Sequence, residues 1–135
     1  MSVRKIEHVG IMVNKLEASI PFYEKVLGLR HLETMTHTNG VIRLAFLAFP
    51  EFPETEVELI EGYDGPLTRE GRVHHVAFAV DDIEAEFGRI RSLGVAGLDD
   101  SITTLPNGSR YFFFQGPDGE SVELFQSTRG GKSEG

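Results

Sequence analysis

The chain says the same thing twice. His8-Val9-Gly10-Ile11-Met12-Val13-Asn14-Lys15-Leu16-Glu17 returns as His75-Val76-Ala77-Phe78-Ala79-Val80-Asp81-Asp82-Ile83-Glu84, and Val57-Glu58-Leu59-Ile60 returns as Val122-Glu123-Leu124-Phe125. The offset is 67 at the histidines (75 − 8) and 65 at the glutamates (123 − 58). Two segments repeated in the same order restrict the fold to two copies of one supersecondary unit. A length of 135 residues suits one core and is short for two independent domains, so each copy is expected to be half of a single domain. That domain is placed at about residues 1–130, with module one at 5–62, module two at 72–127, and 129–135 as a polar, Gly-rich tail.

Periodicity resolves the unit into elements. Val9, Ile11 and Val13 alternate with His8, Gly10 and Met12, as a half-buried strand requires, and Val76, Phe78 and Val80 alternate with His75, Ala77 and Ala79. Each histidine therefore points away from the packed face and has small residues beside it. Asn14-x-x-Glu17 and Asp81-x-x-Glu84 read as capping boxes. Leu16, Ile20, Tyr23 and Leu27 share one helical face, as do Ile83, Phe87, Ile90 and Leu93, with Gly28 and Gly94 as stops. Pro21 conflicts with a regular helix, which is expected either to begin nearer Ser19 or to kink. Strands are expected at residues 29–36, 41–49 and 56–61, then after Val95 and at 110–114 and 121–126. Turns are expected at Asn39-Gly40, Asn107-Gly108 and Pro117-Asp118-Gly119. The unit is β-α-β-β-β, twice. In its last strand Glu58 and Glu123 project opposite the aliphatic stripe, as the histidines do.

Each half thus supplies one His and one Glu. Two imidazoles and two carboxylates form an N2O2 set suited to a divalent metal that keeps positions open for water or substrate. The chain has no cysteine, so thiolate ligands, disulfides and thiol nucleophiles are excluded and any metal must be held by nitrogen and oxygen. A net charge of −8 without a basic stripe argues against nucleic acid. No apolar run approaches membrane-spanning length and residues 1–8 lack the apolar stretch of a signal peptide, so no membrane and a cytoplasmic location are expected.

These residues carry a resemblance. The paired modules, Phe22-Tyr23 followed by Leu27-Gly28-Leu29, and Gly116-Pro117-Asp118-Gly119 before Val122-Glu123-Leu124 resemble the vicinal oxygen chelate superfamily, which includes glyoxalase I, over residues 5–126. The resemblance implies an α+β fold of two tandem βαβββ modules in a cupped mixed sheet, commonly assembled as a homodimer. It implies His8, Glu58, His75 and Glu123 as ligands of Ni, Co, Zn or Mn. The activity it implies is that of a lyase or isomerase of the glyoxalase I (lactoylglutathione lyase-like) type, moving a proton next to a carbonyl of a small molecule with vicinal oxygens through an enediolate. A metal on the carbonyl oxygen acts as a Lewis acid, and a nearby carboxylate removes the proton. Glu123 is the candidate base, with Glu58 close behind it.

Departures from individual members narrow this expectation. The arginine and asparagine with which bacterial glyoxalase I contacts glutathione correspond to Met12 and Gly62. Residues 73–84 resemble methylmalonyl-CoA epimerase, which makes an acyl-thioester epimerase the alternative, although that family's acidic residue before the strand near Val41 appears as Thr38 or Asn39. Ring-cleaving iron dioxygenases match His8, His75 and Glu123 but leave the Glu58 position without a ligand, and antibiotic-binding members use the cup without a catalytic metal; Glu58 counts against both. Among the remaining candidates, His74 has the parity of the packed side, and His31 and His37 have no repeat partner. Phe46, Phe49 and Phe52 fit the core or a pocket lining, with the core favoured, and residues 112–114 are expected in a buried strand whose cleft-facing members line a pocket. Arg43 and Arg110 fit a substrate clamp or a surface ion pair equally well.

Overall fold

The computed structural model describes residues 5–68, 71 and 73–129; the expected start of module two at Arg72 and the tail beyond Arg129 lie outside them. The chain divides after Leu67 into two compact units. The first contains β1 (His8–Val13), α1 (Leu16–Leu27), β2 (Arg30–Thr36), β3 (Arg43–Phe49) and β4 (Phe52–Glu61). The second contains β5 (Val76–Ala79), α2 (Ile83–Leu93), β6 (Thr103–Thr104), β7 (Arg110–Gln115) and β8 (Ser121–Gln126). Each unit is βαβββ. Each also forms its own four-stranded mixed sheet, ordered β1-β4-β3-β2 and β5-β8-β7-β6, with the first strand parallel to the last.

Alternation decides which sheet face is covered. In module one Val13, Ala45, Leu47, Val57 and Leu59 are buried, and α1 packs over β4 and β2. In module two Phe78, Phe112, Phe114, Val122 and Leu124 are buried beneath α2, whose Phe87 meets Phe112 edge-on at 5.0 Å. Burying aliphatic and aromatic side chains of this size stabilises by about 1.5–3 kcal/mol each, which is what holds a helix to a sheet. The opposite face of each sheet carries the histidine and the glutamate.

The helix starts differ from the capping boxes. Lys15, not Asn14, is the N-cap of α1 and makes no side-chain cap; Asp82, not Asp81, caps α2, its carboxylate accepting from Ala85 N–H at 3.1 Å. In both modules the last strand reaches back instead. Glu61 accepts from Leu16 N–H at 2.8 Å and Gln126 from Ile83 N–H at 2.7 Å. A long-range partner thus satisfies an orphan donor that local sequence assigns to a cap. Pro21 lies inside α1, which begins at Leu16, so the later start near Ser19 is excluded. Both helices end at the expected glycines, Gly28 (φ 82°) and Gly94 (φ 69°), in the left-handed conformation that glycine adopts without strain.

Several burial expectations are corrected. The buried face of α1 is Leu16, Ser19, Tyr23 and Val26, with Ile20 and Leu27 only half-buried. In α2, Leu93 is 51% exposed because it ends the helix beyond the last turn that the sheet covers. Phe52 is 67% exposed at the start of β4, and His74 is exposed rather than packed. The strand expected after Val95 is reduced to the two residues of β6. Residues 96–99 run beside β7 through Gln115 N–H to Ala96 O, Asp99 N–H to Phe113 O and Phe113 N–H to the Asp99 carboxylate.

Candidate functional site

Register brings each histidine to its glutamate. In the parallel pair β1–β4, His8 lies opposite Glu56 and Gly10 opposite Glu58, so His8 and Glu58 are diagonal neighbours on the open face. His8 Nε2 is 3.4 Å from Glu58 Oε1. In β5–β8, Ala77 lies opposite Glu123 while His75 immediately precedes β5, and His75 Nε2 is 2.8 Å from Glu123 Oε1. The small residue between ring and carboxylate is what leaves the diagonal open. A Cβ on Gly10 would sit 3.3 Å from Glu58 Oε1 and 3.1 Å from Ile60 Cδ1.

Each ring is also held on its far side. The Glu7 carboxylate accepts from His8 Nδ1–H at 2.6 Å, and the Nδ1 atoms of His74 and His75 are 2.9 Å apart. A carboxylate can only accept, so the hydrogen bond to Glu7 leaves a neutral His8 with an Nε2 lone pair directed at Glu58, an acceptor facing an acceptor. A proton or a cation resolves that opposition, and ligating histidines are oriented in the same way by a carboxylate on the other nitrogen. When His75 donates its Nδ1–H to His74, its Nε2 faces Glu123 likewise. Each pair therefore offers one nitrogen and one oxygen donor on the open face of its own sheet. Among the described residues no group of three or more His, Asp or Glu side chains converges on one point.

Electrostatics distinguish the pairs. The hydrogen bond that His8 donates to Glu7 raises the pKa of His8 above that of an ordinary imidazole, with partial burial opposing the effect and Glu58 adding to it. Glu123 is the more enclosed carboxylate, its side chain 8% exposed against 14% for Glu58. Burial lifts its pKa above the usual carboxylate value, and His75 offsets part of that rise.

An aromatic partner belongs to each pair. Phe46, opposite Glu58 in β3–β4, meets the His8 ring edge-on at 6.3 Å; Phe113, opposite Glu123 in β7–β8, meets the His75 ring edge-on at 5.0 Å. Phe46 and Phe113 stand 67 positions apart, the histidine offset, and that spacing is the signal that identifies them as one repeated part rather than as core. Phe46 also borders a depression of about 360 Å³ on module one, lined with Leu32, Glu33, Met35 and Glu56. Arg43 and Arg110 occupy the other face of their sheets. Arg43 pairs with Glu17 at 3.2 Å and Glu61 at 3.3 Å, and Arg110 pairs with Glu84 at 2.7 Å, which settles them as ion pairs tying β3 and β7 to the first turns of the helices. His31 bonds Thr34 and His37 bonds the Asn39 backbone, both away from the pairs.

A duplicated βαβββ unit with one His–Glu pair per copy defines the class. Residues 5–124 match the Glyoxalase/Bleomycin resistance protein/Dioxygenase superfamily, and the chain belongs to it. It is 54% identical over 123 residues to the uncharacterized protein YwbC of Bacillus subtilis (strain 168), spanning 91% of this chain and 98% of that one. It is 31% identical over 132 residues to a lactoylglutathione lyase of Haemophilus influenzae, spanning 94% and 97%. The trypanothione-dependent glyoxalase I of Leishmania major is similar in structure, with a TM-score of 0.73 at 28% identity over 92% of this chain and 87% of that one. No helix among the described residues is long and apolar enough to cross a membrane.

Proposed function

We propose that the protein is a divalent-metal-dependent lyase or isomerase of the glyoxalase I type, acting on a small molecule with vicinal oxygens. The observation that carries this reading is the duplicated diagonal, His8 with Glu58 and His75 with Glu123, repeated at matching register on the open face of both sheets. Likeness to a lactoylglutathione lyase over nearly the whole chain supports it. In this reading His8, Glu58, His75 and Glu123 hold a Ni, Co, Zn or Mn ion, and His8 keeps its orientation through Glu7. When bound, the ion supplies Lewis acidity to a substrate carbonyl and so lowers the barrier to loss of the neighbouring proton.

The chain's own groups do the rest. Glu123, enclosed and held at His75, is the base that takes the proton and returns it to the adjacent carbon, since burial brings a carboxylate closer to the affinity a general base needs near neutral pH. Glu58 holds its place beside His8. The Glu58 position distinguishes this four-donor set from the three-donor set of the dioxygenases. Phe46 and Phe113 stand edge-on to the His8 and His75 rings and present an apolar surface beside each.

The test is metal analysis of the purified protein, add-back of divalent metals, and assay of methylglyoxal hemithioacetals formed with several thiols. About one ion per chain, with thiol-dependent turnover, is the expected result for a four-donor site. Failure to take up any divalent metal overturns the reading. Oxygen consumption with a catechol under ferrous iron would replace it with a dioxygenase.

A further inference from the structure

The open face of module two differs from that of module one at the positions beside the histidine and glutamate. Phe125 follows Glu123 by two residues on β8 and lies opposite Tyr111 of β7. Their rings are parallel to within 6° with centroids 6.1 Å apart. Tyr111 meets Phe113 edge-on at 5.7 Å, and Phe113 meets His75 edge-on at 5.0 Å. A row of rings therefore leads away from the pair. Beside it β5 offers only Ala77 and Ala79, both exposed, opposite Glu123 and Phe125. The three rings are half-buried and keep an accessible surface.

Module one places aliphatic residues at the equivalent points. Leu44 stands where module two has Tyr111, Ile60 where it has Phe125, and Met12 where it has Ala79. The charge pattern is equally one-sided. Arg110, the basic residue of β7, turns to the helix side toward Glu84, and β5 and β8 contain no lysine or arginine. At its far end Arg129 places its guanidinium carbon over the Phe125 ring, 6.0 Å from the ring centre. A face of rings flanked by two exposed alanines fits a flat, apolar group, because rings take planar partners in offset or edge-on contact.

We propose that Tyr111, Phe113 and Phe125 form a subsite for a planar apolar group of the substrate, next to the carbonyl end handled by His75 and Glu123. A vicinal-oxygen substrate that carries an aryl or comparably flat group is then preferred over its small aliphatic counterpart. This inference rests on the reading of His75 and Glu123 as half of a metal site.

The test uses the zinc-reconstituted full chain and two probes, benzohydroxamate and acetohydroxamate, which present the same vicinal oxygens and differ in phenyl against methyl. Calorimetry is expected to show benzohydroxamate binding about tenfold or more tightly than acetohydroxamate. In a Tyr111→Leu/Phe125→Ile variant, which installs the module-one residues, that lead should shrink to within about twofold while acetohydroxamate binding is unchanged, which also shows the site intact. Tyr111→Phe should keep the lead. Equal affinities in the wild type, a lead that survives the double variant, or an equal loss of both probes overturns the subsite and leaves the metal reading standing. Zinc retained with neither probe bound overturns the subsite and the open coordination position together. No zinc uptake overturns the metal reading and the inference with it.

Discussion

Module one and module two hold a histidine beside a glutamate by the same diagonal, yet they support it differently. Module one orients His8 with a carboxylate, Glu7, and its N-cap residue Lys15 makes no side-chain cap, while Glu61 accepts from Leu16 N–H at the helix start. Module two sets His75 against another imidazole, His74, and gives α2 both the Asp82 cap and Gln126. The glutamate is deeper in module two and the rings around it are aromatic. The shared part is the His–Glu diagonal, and the unshared parts are the group behind each ring and the depth of each carboxylate; in the function proposed above, module one serves mainly to hold a cation and module two to move a proton.

Exchanging the two carboxylates is the sharpest way to break that comparison. Glu123→Gln is expected to lower kcat by about 10²–10⁴-fold while much of the metal is retained, the scale of a lost general base. Glu58→Gln is expected to lose metal first, with a melting temperature unchanged in both variants. Elemental analysis alongside steady-state kinetics separates the two, and wild-type metal content and turnover in Glu58→Gln would sink the four-ligand assignment.

Supports for the rings come next in size. Glu7→Gln should weaken metal affinity by about 10–100-fold in competition with a chelator, as loss of a carboxylate behind a ligating histidine does. His74→Ala should do less, because a neutral acceptor makes roughly half the bond of a charged one. A larger loss from His74→Ala would reverse the assignment of module one as the main holder of the ion.

The helix starts test the comparison through stability alone. Glu61→Ala should destabilise by about 1–2 kcal/mol in urea unfolding and Gln126→Ala by about 0.5 kcal/mol, since α2 keeps its Asp82 cap and α1 has none of its own. Smallest is the contrast between Val26 and Leu93, which stand 67 positions apart at equivalent points of the two helices. Val26→Ala should cost about 1.5 kcal/mol for its lost buried carbons, and Leu93→Ala should fall within about 0.5 kcal/mol, as an exposed position does. Equal values would mean that the end of α2 is covered in solution.

Much of this molecule is legible in the chain because its repeat and its strand parity are local properties. Side chains two apart on a strand share a face, so His8 with Gly10 and Glu58 with Ile60 follow from alternation, and the second copy confirms each assignment independently. The left-handed stops at Gly28 and Gly94 follow from glycine alone. Local sequence misplaces the caps because Asn14 and Asp81 have the right chemistry one residue too early, and because Glu61 and Gln126, 45 and 43 residues distant from the donors they bond, satisfy N–H groups at the helix starts. Which of Phe46 and residues 112–114 faces outward stays open in the sequence, because an aromatic run carries no sign of it until its neighbours' register is known.

Taken by itself, the sequence determined the duplicated βαβββ plan, the restriction to nitrogen and oxygen ligands, and the side of each sheet that carries histidine and glutamate, all of which depend on composition and on a two-residue period. Tertiary structure decided the rest. It set the distance from each imidazole to its carboxylate, turned Arg43 and Arg110 into helix-tying ion pairs, exposed Leu93 while burying Val26, and made a row of rings on module two. Those outcomes depend on which strands become neighbours and at what stagger, a matter of pairing between segments far apart in the chain that no local pattern encodes.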